Sequence, residues 1–249
     1  MSRALTKHDI FIRKRNRFPY QIAIVASGNP VMLRDTTLNI LKAYKVPIDH
    51  ITVFVHTREE KGYYESVLLQ GTYGRIVNTE MAKTYKVYNV IQCFYTIGTP
   101  VVHINDCIQG LYEKTEEGIQ ILKNFVGLLN LGFSECVKRG VSVWGLSVSR
   151  KMMRTEIQSG FLHIPGGLWG YITDGVGIQL TQRNTEEYER SILYYKKEKA
   201  IVCLSMFTAV GCFPKVEEGD LEKGLRKLLK KYPLYLVDEP FHLVDLTKM

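Results

Sequence analysis

Apolar positions in the N-terminal half come in short β-branched runs, separated by stretches with helical spacing. Ile22-Ala23-Ile24-Val25-Ala26 is continuously apolar and stops at Ser27-Gly28-Asn29-Pro30. A run of that length closed by turn formers predicts a buried strand followed by a sharp loop. Asp35 then precedes Leu38, Leu41 and Tyr44 at helical spacing, so a helix is expected with Asp35 as its N-cap. Residues 51–55 read as the second strand, Tyr64, Val67 and Leu68 as the face of a second helix, and residues 74–77 as a third strand. Residues 81–95 are again helical, with Val87, Val90, Ile91 and Phe94 on one side. Residues 100–104 predict a fourth strand, ending in Asn105-Asp106-Cys107.

Strands alternating with helices over short connections predict a parallel sheet of the α/β class. Right-handed crossovers bring the strand ends to one edge, and ligands of open α/β sheets bind outside it. Ser27, His56 and Asp106 all follow strands there. The second half changes character. Residues 118–138 read as one long helix with Ile121, Leu122, Phe125, Leu128 and Leu129 inward, followed by a strand over 141–146. Residues 160–171, which include Gly166, Gly167 and Trp169, have no helical period. Asn184 and Glu187 bracket a helix start as a capping box. Residues 201–210 are strand-like, and 218–231 form a basic helix. The expectation is one domain over residues 20–249, α/β first and α+β after, preceded by a basic arm over 1–19.

Composition changes this picture in one respect. At 249 residues, 45% apolar and 23% charged, the chain is an ordinary globular protein. Its net charge of +8 is less ordinary and favours anionic partners such as nucleotides or nucleic acid. The excess is concentrated in the first seventeen residues and again at Lys223, Arg226, Lys227, Lys230 and Lys231. The five cysteines include no CxxC pair, which reads as reduced thiols. No apolar run is long enough to span a bilayer, and the basic start leads into no leader-like segment. An intracellular protein is expected, in the cytoplasm or nucleus.

Several familiar motifs are missing. There is no GxxxxGK[ST], no GxGxxG between the first strand and helix, and no GxSxG. What remains is an acid directly after the fourth strand of a basic α/β chain. That arrangement resembles GT-A glycosyltransferases, which carry a DXD-like motif there. More closely, the chain resembles the TET-associated glycosyltransferases of phages, large viruses and some protists. The matching segments are Ile22–Ser27, Thr37–Leu41, Ile51–Val55, Val101–Asp106, Gly166–Gly170 and Glu186–Glu189. They span residues 20 to about 200, and their order and spacing carry the likeness.

The resemblance implies a GT-A-like mixed sheet flanked by helices. It also implies transfer of a sugar from a nucleotide-sugar such as a UDP-sugar to a hydroxyl, with hydroxymethylpyrimidine bases in DNA as one acceptor. Asp106 would hold Mn²⁺ or Mg²⁺, although the family's run of aspartates is here Asn105-Asp106-Cys107. One carboxylate with phosphates and waters can still hold Mg²⁺. His103 is either a further ligand or a core residue. Lys83, Lys86 and Asn89 match the family's Arg-Asn segment and would face the diphosphate, with Arg34 and Arg75 as weaker candidates. Ser27 would contact base or ribose, and His56 would border the donor. Gly166, Gly167 and Trp169 would line the sugar and acceptor region, with a bulged strand pair around a core Trp169 as the alternative. Glu187 would be the base that takes the acceptor's proton, with Asp174 as its rival; helix-start acids that only favour the dipole are the plainer alternative. A degenerate GT-A chain that binds nucleic acid, and a viral glycoprotein or capsid-glycan transferase, are the competing functions.

Overall fold

The computed structural model describes residues 18–213, 217–237 and 242–243. The basic stretch 1–17 lies outside them. Parallel strands β1 (Gln21–Val25), β2 (Ile51–Val55), β3 (Arg75–Asn78) and β4 (Pro100–Ile104) form one half of a sheet in the order β3-β2-β1-β4. The connecting helices are α1 (Pro30–Leu33), which runs through a π-helical turn (Arg34–Leu38) into α2 (Asn39–Ala43), then α3 (Arg58–Val67) and α4 (Thr84–Phe94). The hairpin β5 (Ile108–Thr115) and β6 (Gly118–Ile121) follows, then α5 (Phe125–Arg139), β7 (Val143–Ser147), β8 (Ile157–Gly160) and β9 (Leu168–Ile172). The chain continues as α6 (Glu186–Glu198), β10 (Ile201–Gly211), α7 (Glu218–Lys231) and the small pair β11 (Leu236–Val237) and β12 (His242–Leu243).

β9 is antiparallel to both β4 and β7, which joins the two halves into one sheet and leaves β7 parallel to β4. β10 completes the sheet. Its first part pairs parallel with β7 and antiparallel with β8, and its second part pairs antiparallel with β5. The strands of the first half are apolar throughout because both faces are covered. Ile22 and Ile24 face Leu33, Leu41, Tyr64 and Phe133, whereas Ala23 and Val25 face Val87 and Ile91 of α4 together with Tyr194 of α6. Phe18 belongs to this fold although it falls within the predicted arm: it is buried against Phe133, and its N–H donates to Asn130 Oδ1 at 3.1 Å.

Four boundaries differ from expectation, each for a local reason. The helix predicted over 118–138 is a strand followed by a helix. Gly118, at φ +124°, turns the hairpin; Ile121 is exposed; and Asn124 caps α5 by accepting from the Gly127 N–H at 2.8 Å. Asp35 is not an N-cap. Asn29 caps α1 by accepting from the Met32 N–H, Pro30 takes the first turn, and Asp35 lies within the π-helical turn. α4 starts at Thr84 with Lys83 at its N-cap, not at Met81. The capping box at Asn184 and Glu187 does not form. Thr185 occupies the N-cap position without a side-chain bond, Asn184 is left-handed at φ +66°, and the Glu187 carboxylate turns away from the helix. Among the described residues, no helix is long and apolar enough to cross a membrane.

Candidate functional site

The loop after β4 is held from four directions. The π-helical turn presents successive threonines: Thr36 Oγ1 donates to the Met32 carbonyl at 2.6 Å and lies 3.3 Å from the Asp106 carbonyl, and Thr37 Oγ1 donates to the Asn105 carbonyl at 2.7 Å while accepting from the Ile108 N–H at 2.9 Å. From β1, the Ser27 N–H donates to Asp106 Oδ2 at 2.7 Å. From the loop before β9, the Gly167 carbonyl accepts from the Asn105 N–H at 2.9 Å. Beyond β10, the Cys212 N–H donates to the Cys107 carbonyl at 3.1 Å. Asp106 is 1% exposed, and its burial pushes the carboxyl above the usual carboxylate range, against the donors of Ser27.

The neighbouring wall is Gly166-Gly167. Glu187 Oε1 accepts from the Gly166 N–H at 2.6 Å, and Glu187 Oε2 pairs with His163 Nε2 at 3.1 Å. A Cβ on Gly166 would run into Glu187 Oε1, and one on Gly167 would meet the Phe213 ring at 3.1 Å. Burial pushes Glu187 up, but His163, the charge of Arg190 and the Gly166 N–H outweigh it and leave the carboxyl below its ordinary range. Arg190 is buried, its guanidinium carbon 4.2 Å from the Trp169 ring centroid and 5.4 Å from that of Tyr88. Burial pushes the Tyr88 phenol up to about 12 against the pull of Arg190, with Glu186, Glu187 and Asp106 adding to the rise.

One opening is lined by Glu187 and a second by its partner His163. A depression of about 120 Å³ is lined by Ser147, Gly166, Gly167, Glu187 and Phe213. A cleft of about 540 Å³ shares its Leu146–Val148 wall and is lined further by Lys151, Met152, Arg154, Leu162 and His163.

The structure therefore brings Ser27, Asn105, Asp106, Gly166, Gly167 and Glu187 together. Lys83 and Lys86 are exposed at the start of α4, which follows β3 and so opens at the same edge. His56 is at that edge too, with Nδ1 paired to the Met81 carbonyl at 2.7 Å. Other candidates are elsewhere or already engaged. Asn89 spends its amide on both backbone groups of Leu180, and Arg34 is paired with Asp35 on the surface. Arg75 starts β3 at the opposite edge, stacked on Phe94. Asp174 also lies at the opposite edge, beyond the end of β9 that pairs with the start of β4; it accepts from the Val176 and Gly177 N–H groups and pairs with Lys197. Trp169 is 1% exposed and faces the core, stacked at 4.3 Å on His103, whose buried ring nitrogens have no hydrogen-bond partner among the described residues. Burial first, and Arg190 second, hold the His103 imidazole well below its ordinary range.

These residues do not form a cage for a resident Mn²⁺ or Mg²⁺ ion. Asp106 turns one oxygen to Ser27, and Asn105 Oδ1 accepts from both the N–H and the thiol of Cys107. No group of three His, Cys, Asp or Glu side chains gathers among the described residues. Sequence reasoning missed His163, Arg190, Tyr88, Thr36 and Thr37. His163 left one trace, its place three residues before a Gly-Gly pair in a segment without helical period.

No protein-family model matches the chain, and neither does any characterised protein sequence. Among solved structures it is similar to GalNAc-T7 with UDP, GalNAc and Mn²⁺, with a TM-score of 0.58 and 11% identity over 89% of this chain and 48% of that one. It is also similar to residues 1–349 of TarS from S. aureus, with a TM-score of 0.46 and 14% identity over 75% of this chain and 58% of that one. The fold is that of the GT-A glycosyltransferases. The chain spans about half the length of GalNAc-T7, and at this identity it is the fold that is shared.

Proposed function

We infer that the chain is a nucleotide-sugar-dependent glycosyltransferase, taking a sugar from a UDP-sugar or related donor and passing it to a hydroxyl. One observation carries this reading: on a GT-A fold, hydrogen bonds run from Ser27 through the Asn105-Asp106 loop to Gly167, and Glu187 is fastened to the adjoining Gly166. In this reading Ser27 and His56 border the nucleoside, and Gly166-Gly167 lets the sugar lie against backbone. The leaving diphosphate gains negative charge as its bond to the sugar breaks, and fixed cations aimed at it lower that barrier. Lys83 and Lys86, exposed at the same edge, are the cations best placed to approach it. Glu187 belongs to the machinery that removes the acceptor's proton.

The net charge of +8 and the sequence likeness to TET-associated glycosyltransferases favour a polyanionic acceptor, hydroxymethylpyrimidine bases in DNA. The basic arm and α7 would then serve polymer binding, in a compartment that holds DNA. Calorimetric titration with UDP-glucose, UDP-N-acetylglucosamine and UDP-N-acetylgalactosamine, each with and without Mn²⁺, tests the donor side. Transfer to DNA carrying 5-hydroxymethylcytosine tests the acceptor side. Binding of at least one donor is expected, and failure of all three to bind would remove the reading. The two hydrogen bonds that Cys107 donates to Asn105 Oδ1, where the family carries acids, favour a second reading as a nucleic-acid-binding protein. Steeply salt-dependent binding to unmodified DNA without donor turnover would select that one.

A further inference from the structure

We propose that His163, and not Glu187, takes the proton of the acceptor hydroxyl, and that the cleft His163 lines is where that hydroxyl arrives. The inference rests on the glycosyltransferase reading and changes which atom does the chemistry. Both Glu187 oxygens are already committed, Oε1 to the Gly166 N–H at 2.6 Å and Oε2 to His163 at 3.1 Å. Each oxygen keeps a second lone pair, but the bonds it already accepts hold the carboxylate in place as a partner of Gly166 and His163. The imidazole is in the opposite position. With Nε2 against a carboxylate, the ring proton belongs on Nε2, which leaves the lone pair on Nδ1. Nδ1 makes no hydrogen bond among the described residues, and the side chain is 23% exposed. The ring is packed against Tyr188, centroids 5.0 Å apart, and so is held in orientation.

The two openings divide in the same way. Glu187 lines the 120 Å³ depression, which is small for a substrate. His163 lines the 540 Å³ cleft, within the roughly 300–1,000 Å³ of ligand sites. Lys151 and Arg154 line that cleft, Arg154 paired at 3.6 Å with Glu156, and no carboxylate lines it, so its charge suits an anionic acceptor. In the step itself, the acceptor oxygen forms a bond to the anomeric carbon. That carbon's bond to the diphosphate oxygen breaks, and its electron pair leaves on the diphosphate. The acceptor's proton passes to Nδ1. Glu187 orients the ring and stabilises the imidazolium, as a carboxylate behind a catalytic histidine does.

The experiment measures UDP release from the three UDP-sugars above, with hydroxymethylcytosine DNA and with water as acceptor, for wild type, His163→Gln and His163→Ala. Glutamine can still donate a hydrogen bond to Glu187 but cannot take up a proton. His163→Gln is therefore expected to lose roughly 10²–10⁴-fold in kcat, the usual worth of a positioned base, with little change in KM for the donor. Free imidazole is expected to restore part of the rate to His163→Ala. Donor binding by both variants, measured by calorimetry, shows that they are folded. A His163→Gln variant that keeps more than about a tenth of the wild-type rate would reduce His163 to a support for Glu187 and overturn the proposal alone. A variant that no longer binds donor would overturn it too, because the residue would then be structural. No UDP release by the wild type with any donor would overturn the glycosyltransferase reading and this inference with it.

Discussion

Asp106 and Glu187 stand on one edge of one sheet, yet the protein surrounds them differently. Asp106 is 1% exposed, and its loop is stitched down by Thr36, Thr37, Ser27 and Cys212. Its burial is only partly answered, by the donors of Ser27 and its own backbone N–H, and the carboxyl is pushed up. The Glu187 side chain is 45% exposed, and although burial acts on it in the same direction, an imidazole, a buried guanidinium and a backbone N–H reverse the result. Two carboxylates held in opposite directions by their surroundings suit a division of acid–base roles in the proposed reaction. The difference teaches that Asp106 is fixed by the fold at some cost, whereas Glu187 is kept ionised beside open space.

The sharpest way to break this comparison is Glu187→Gln. Loss of roughly 10²–10⁴-fold in transfer is expected, with donor affinity within about threefold of wild type by calorimetry. Full activity would mean that the ionised carboxylate serves only to hold the Gly166 backbone and the His163 ring in place. Gly166→Ala attacks the same corner from the backbone. The new methyl must displace Glu187 Oε1, and a misplacement of that order costs roughly 10²-fold in kcat while leaving the donor site intact.

Asp106→Asn probes the other side, and its sign follows from linkage. A folded-state pKa above the unfolded value means that the group's stabilising contribution is complete below the unfolded pKa and is lost as pH rises through the folded one. At pH 7 the buried charge is therefore a cost. Thermal melts should show Asp106→Asn at least as stable as wild type at pH 7, with any advantage gone near pH 4, while nucleotide-sugar affinity falls several-fold. A lower melting temperature at pH 7 would mean that the Ser27 donors more than offset the burial. The smallest effect is expected from Asp174→Asn. At the far edge, its loss should leave the transfer rate within about twofold of wild type, and a large loss would show that the acid–base division extends beyond one edge.

The parallel half was legible because its strands are buried on both faces and its turns are written in Ser-Gly-Asn-Pro and Asn-Asp. From that alone, Ser27 and Asp106 could be put on one edge. The second half was harder to read. Ile121, Leu122 and Phe125 fit a helical spacing, yet a glycine turn and an asparagine cap divide them between a strand and a helix. Glu187 was legible as an acid at a helix start, but its true partners lie 21 and 24 residues away in an aperiodic segment, and no spacing rule reaches them. Asp174 and Asn89 show the converse. Their residue types suit chemistry, but they are spent on local and loop hydrogen bonds that only the fold reveals.

β10 has a consequence for how the chain is made. Its eleven residues touch β7, β8 and β5, so a strand drawn from near the C-terminus closes contacts with segments up to about a hundred positions earlier. Contacts so distant in sequence are slow to form, because the intervening chain must first be brought together. During synthesis the β1–β4 half can assemble on the ribosome from local βαβ units. The Asn105–Cys107 loop, however, waits for Cys212 to emerge before its last backbone bond can form. A chain truncated before β10 would keep the Ser27–Asp106 contact within reach but leave β5 and β7 as unpaired edges, the state in which nascent sheets aggregate. Ribosome-bound chains of increasing length, probed by limited proteolysis, should show early protection of the β1–β4 half and a second, late step that protects β5, β7 and the Asn105–Cys107 loop as residues 201–212 clear the exit tunnel.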